Sequence, residues 1–211
     1  MARLTRAEQR AQTRGDLLAA ARDRFLTVGY AAASLDDIAD RAGYSKGAVY
    51  SNFVDKPSLC REVLQDLHEE KLAEMTALVS GPEALEDRID RLAEWIELTV
   101  GDVGWTMLEL EFVIVSRNDP QLRAMVVQLR SAAHRTVVDM LRAFLRAGDD
   151  DLDDEVADAE ARGYELESTA DMLLSAGIGL GIQRAIDPTV SVDPVVESLR
   201  STLTLLGAGV Y

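Results

Sequence analysis

Cysteine, histidine and aromatic residues are all scarce in this chain: one Cys, two His and 5% aromatics in 211 residues. A lone thiol, Cys60, can close no intramolecular disulfide and supplies no cysteine-rich zinc site, which fits a reducing compartment. His68 sits on an acidic stretch, His68-Glu69-Glu70, without the two-histidine, four-residue spacing of a zinc helix, so no metal or other cofactor is expected. No basic stretch leads into an apolar signal region, and no run approaches the ~20 apolar residues that span a bilayer. A cytoplasmic protein, neither exported nor membrane-embedded, is the expectation. Period-two runs of β-branched residues are missing as well, while apolar residues recur at helical spacing almost everywhere, which predicts an all-α chain of about nine helices.

What is present is enough apolar material for a sizeable core, 47% hydrophobic residues, and a surplus of acid, with a formal net charge of −15. Such a charge opposes a polyanionic partner, since nucleic-acid affinity rests largely on Lys and Arg neutralising phosphates. Its distribution is uneven. Residues 1–56 hold nine Lys/Arg against seven Asp/Glu; subtracting from totals of 22 and 37 leaves thirteen against thirty in residues 57–211. The segment Asp149 to Glu160 alone carries eight acids in twelve residues and reads as a solvated connector.

The first helix is predicted from about Arg6 to Val28, with Leu17, Leu18, Ala21, Phe25 and Leu26 on one face and Gly29 as its stop. Ser34 is placed to cap a two-turn helix from Leu35, with Asp36 and Asp37 near its positive end and Gly43 closing it. Ser45 caps a third helix through Phe53, and Asp55 a fourth that starts at Lys56-Pro57 and runs to about Val79. Further helices are predicted at about 83–100, 104–117, 119–147, 165–186 and 193–208. The expected division is a head of residues 1–56 and a larger helical domain of residues 57–211, the fourth helix belonging to both.

Two short helices joined around a glycine, the second closely followed by a longer one, form the pattern of a helix-turn-helix, whose second helix enters the major groove. In Ser34 to Phe53, Leu35, Ile38, Ala39 and Ala42 are expected to face inward, with Val49 and Phe53, four apart, pinning the second helix. Ser45, Lys46, Gly47, Ala48, Tyr50, Ser51 and Asn52 are then left outward. Small residues such as Gly47 and Ala48 allow close approach to base edges, and Lys46 and Asn52 can hydrogen-bond bases or phosphates. Tyr50 and Lys56 are better placed as phosphate clamps.

The run IADRAGYSKGAVYSNFVDKPSL resembles the signature of the TetR/AcrR family of bacterial regulators, and the resemblance by motif covers Arg10 to about Leu64. It implies phosphate contacts from Tyr50 and Lys56, base reading from Ser45 to Ala48, and backbone contacts from an arm carrying Arg3 and Arg6. One departure is the pair Asp36 and Asp37 where some relatives carry hydroxyl or basic residues; acids there repel phosphate, so Ser34 is expected to make any contact at that helix. The resemblance further implies a homodimer on double-stranded DNA with an inverted repeat, probing a small-molecule effector through the second domain, most often as a repressor.

In that second domain Trp95, Leu98, Trp105, Leu108, Phe112, Met125 and Leu129 supply large apolar groups, and with His134 they are candidate pocket residues for a hydrophobic or aromatic effector. The last two helices offer a small-faced stripe with Gly177 and Gly181, and an apolar stripe of Val196, Leu199, Leu203 and Leu206. The resemblance assigns these to the dimer interface; the alternative is that the stripe only closes the monomer core. Gly177 to Gly181 is no dinucleotide loop, since no strand precedes it. An enzyme is disfavoured, because one cysteine and two distant histidines leave no evident nucleophile and base pair. The remaining rivals are a helical carrier of apolar ligands and an effector-independent architectural DNA-binding dimer.

Overall fold

A computed structural model describes residues 5–79, 85–100, 102–146 and 156–208, with side chains described except at 79, 85, 143–146, 156–164, 203 and 205–208. Among the described residues the chain is all-α, with helices α1 (Arg6–Ala32), α2 (Leu35–Ala42), α3 (Lys46–Asn52), α4 (Lys56–Val79), α5 (Leu85–Thr99), α6 (Val103–Ser116), α7 (Pro120–Arg146), α8 (Val156–Ile186) and α9 (Asp193–Ala208). None of them is long and apolar enough to cross a membrane.

Local chemistry explains most of these bounds. Thr5 and Glu8 form a reciprocal capping box at the start of α1. Ser34 and Ser45 accept from the Asp37 and Ala48 amides, so each short head helix begins on a side-chain cap. Gly43 closes α2 in the left-handed region, φ 76°, and its amide reaches back to the Ala39 and Asp40 carbonyls. Gly29 does interrupt α1, at φ 81° and ψ 170°, but one further turn, Tyr30 to Ala32, resumes behind it. The acidic connector is shorter than the sequence suggests: α8 already begins at Val156.

The packing forms two compact units, one of residues up to 68 together with 104–127, the other of residues 69–103 and 128–211. This differs from a division at 56/57. The first half of α4, nearly all of α6 and the start of α7 pack with the head, because α6 carries the buried Leu108 and Phe112 to it. In the first unit α1, α2 and α3 contact one another, and Leu17, Phe25, Ile38 and Val49 are fully buried. In the second unit Ile89, Leu92, Val137, Val138, Leu141, Leu166, Ala170 and Leu199 make one core, and Leu180, Val192 and Val196 a smaller one.

A Cβ on Gly43 would meet no atom within 4 Å, so the whole cost of filling that position is conformational. Gly43→Ala should therefore lower stability by about 1 kcal/mol in denaturant melts followed by circular dichroism, with the m-value unchanged.

Candidate nucleic-acid interface

Only seven residues long, α3 is held from one side by Val49, fully buried, and by Phe53 just behind it. Its other side is open: Ser45, Lys46, Gly47, Tyr50 and Ser51 are exposed, Tyr50 at 53%. Ala48 is half-buried. The Ser45 and Ser34 caps use an oxygen lone pair and leave each hydroxyl proton able to donate outward.

Asn52 and Ser51 are less available than their positions suggest. Asn52 turns back along its own helix, its amide nitrogen donating to the Ala48 carbonyl at 2.8 Å, and the Ser51 hydroxyl donates to that same carbonyl at 2.9 Å. The expectation of an outward Asn52 is corrected accordingly: its short amide side chain bonds back to the carbonyl four residues earlier on its own helix instead of reaching outward.

Lys46 and Lys56 both have partners. The Lys46 ammonium pairs with Asp36 at 2.8 Å, which raises its pKa above the ordinary lysine value through that hydrogen bond and charge. Lys56 donates to the Ala31 carbonyl at 3.3 Å and lies 4.5 Å from the centroid of the Tyr30 ring. Burial lowers its pKa, and the Glu111 carboxylate opposes that lowering. The acids that would repel phosphate are likewise engaged: Asp36 by Lys46, Asp37 by Arg24, and Asp23 by Arg41. Sequence reasoning missed these pairs, since each joins separate helices with no local spacing rule to betray it. Arg6 is exposed at the start of α1, and Arg3 lies outside the described residues.

Residues 17–63 match the family model of bacterial regulatory proteins of the tetR family. Residues 17–63 thus resemble the DNA-binding segment of the tetR family. A stretch of 56 residues is 50% identical to the HTH-type transcriptional activator FasR of Mycolicibacterium smegmatis, a match that spans 26% of this chain and only 26% of that relative. Over the whole chain the likeness is one of fold. A structure assigned to TetR-family transcriptional regulators, from Mesorhizobium loti, superposes with TM-score 0.69 at 19% identity, covering 97% of this chain and 98% of that one. The transcriptional regulator FadR from Bacillus subtilis, in complex with stearoyl-CoA, does so with TM-score 0.57 at 16% identity over 93% and 99%.

The eight candidate pocket residues do not gather in one unit: Trp105, Leu108, Phe112 and Met125 fall in the first, Trp95, Leu98, Leu129 and His134 in the second. Leu108 and Phe112 are fully buried, and Phe112 sets its ring edge-on to Tyr30, 5.8 Å between centroids. Trp105 lies edge-on to His68, whose Nε2 contacts Glu109. Trp95 packs on the second unit's core and donates from Nε1 to Glu74 at 3.1 Å. Leu98 is 86% exposed and lines no interior of its own unit. His134, half-buried on α7, lies 3.3 Å from the main-chain carbonyl of Glu167 and beside the Glu167 and Asp171 carboxylates of α8.

The interface candidates divide too. Val196 and Leu199 are buried inside their own unit, so this part of the α9 stripe closes the monomer core instead of meeting a partner. Gly181 is buried and Gly177 half-buried; the side chains of Leu203 and Leu206 lie outside the described residues. On α8, by contrast, Met172, Ile178 and Ile186 stand exposed beside Ser175, and a Cβ on Gly179 would meet nothing within 4 Å.

Among the described residues no cluster of three or more His, Cys, Asp or Glu is placed to hold a metal ion. Cys60 is fully buried, and burial drives its thiol pKa far above the ordinary value. Thiolate is the reactive form. The folded protein should therefore resist a small thiol reagent at pH 8 and consume one equivalent once denatured; prompt labelling of native protein would contradict the buried placement.

Proposed function

We propose that this chain is a sequence-specific DNA-binding transcriptional regulator that acts as a homodimer on an inverted repeat. The observation that carries the reading is the open face of α3, raised on a buried Val49 anchor beside acids already neutralised by Lys46, Arg24 and Arg41. A helix so mounted can enter a major groove with its N-terminal residues, Ser45 to Ala48, against base edges. Gly47 and Ala48 allow close approach there, and Lys46 reaches a base or phosphate. Tyr50 and Lys56 bind phosphates on either side, with Ser34 and Arg6 adding backbone contacts. Lys56 serves as a clamp from a fixed position, since the Ala31 carbonyl and the Tyr30 ring already steer its stem. Two such helices reach successive grooves when half-sites lie roughly 34–36 Å apart, one helical turn.

Residues 57–211 sense an apolar small molecule in this reading. Ligand that favours the arrangement unable to bind DNA shifts the population and relieves repression. A related fold in the Bacillus subtilis protein holds stearoyl-CoA, which supports an apolar effector class, whereas the head's likeness to an activator favours activation as the second reading of the sign. The tetR-family match of residues 17–63 supports this reading over an enzyme or a simple carrier. The α8 face of Met172, Ser175, Ile178, Gly179 and Ile186 is the surface on which the two copies meet.

Selection from a random duplex library with the purified chain at near-physiological salt should enrich an inverted repeat, and Tyr50→Ala with Lys56→Ala should abolish the enrichment. Recovery of unselected sequence by a folded wild-type sample would sink the regulator reading. Separately, Ile178→Glu should halve the mass seen by light scattering at micromolar protein while helicity stays unchanged; a dimer that survives it places the interface elsewhere.

A further inference from the structure

The break in α1 at Gly29 is occupied from outside the head helices. Glu111, on α6, accepts from the Ala31 amide through Oε2 at 2.8 Å. Its carboxylate also lies against Gly29, where an added Cβ would collide with it and where φ is 81°, so that a side chain is excluded both by space and by backbone conformation. The other face of the same turn is used as well. The Ala31 carbonyl accepts from Lys56 at the first position of α4, and the Tyr30 ring lies between the Lys56 ammonium and Phe112, which is on α6 next to Glu111.

One short turn thus joins three elements of the first unit: α6 through Glu111 and Phe112, α1 through Gly29 to Ala31, and α4 through Lys56. A hydrogen bond to a charged acceptor is among the stronger single contacts, and the amide of Ala31, an exposed residue, donates to this carboxylate. Burial lowers the Lys56 pKa, and the Glu111 charge opposes the lowering, so the acid also helps keep the clamp lysine charged.

We propose that Glu111 is a positioning residue for the DNA-binding head: by holding the Gly29–Ala31 turn it fixes the direction in which α1 and the start of α4 leave α6, and so fixes the half-site spacing that the dimer accepts. Glu111 contacts no DNA in this account. The inference rests on the DNA-binding reading above, and its test separates the two.

The probe is the duplex recovered from the selection, together with the same duplex lengthened or shortened by one base pair between half-sites. Full-length wild type, Glu111→Ala and Glu111→Gln are titrated against all three, with the active fraction fixed by stoichiometric titration. Glu111→Ala should bind the native spacing roughly tenfold more weakly and prefer it less over the altered spacings, with the slope of log affinity against log salt unchanged because no phosphate contact is lost. Glu111→Gln, whose amide oxygen still accepts from Ala31, should stay within about threefold. A purely stabilising role would lower the melting temperature but leave the spacing preference of the folded fraction untouched, and that outcome overturns the proposal. Hydrogen exchange on DNA-free protein gives the second arm. The Ala31 amide should be protected in wild type and exposed in Glu111→Ala, with α2 and α3 unaffected; an unprotected Ala31 in wild type overturns the proposal even where the alanine variant fails to fold. Should the wild type select no duplex, the regulator reading fails and the exchange arm alone decides against or for the clamp.

Discussion

The burial of Val49 is the constraint on which the rest of the head depends. A helix of seven residues has too few internal hydrogen bonds to persist alone, so α3 exists because one side is locked into the interior that Leu17, Phe25 and Ile38 also fill. That anchorage decides which side chains remain outside. With Val49 inward and Ser45 capping the first turn, Lys46, Gly47 and Tyr50 are outward by geometry, and the short, small-residue face they make is one that suits close approach to a groove.

Charge follows the same logic. A protein of net charge −15 is a poor general ligand for DNA, yet the head disposes its acids in pairs with bases, as Asp36 with Lys46 and Asp37 with Arg24. Exposed pairs of this kind add little stability. Their consequence is local: the acids beside α3 present less bare negative charge to an incoming phosphate, and Lys46 is given a resting partner that it must share or leave on binding.

Much of this was legible in the sequence because short-range rules govern it. Ser34, Gly43 and Ser45 act within three or four residues of themselves, and their capping roles follow from residue type and position alone. Contacts between distant segments were opaque. The period of the α9 stripe marks Val196 and Leu199 as facing something, but period cannot say whether that is the monomer core or a second copy, and it is the core. Leu98 and His134 show a similar limit: an apolar or polar residue on an amphipathic helix carries no label for the neighbour it meets, and one is exposed while the other lies against the Glu167 main chain of α8. Gly29 was correctly a stop, but the reason that glycine is required, the Glu111 carboxylate pressed against it, lies 82 positions further along the chain.

The central claim is that α3 sits in the major groove at two successive half-sites. Methylation interference tests it most directly, because guanine N7 is modified in the major groove and adenine N3 in the minor. The account predicts interference by guanine methylation in two patches about 10 base pairs apart, centre to centre, on one face of the duplex. A single patch, or interference confined to adenine N3, would contradict it.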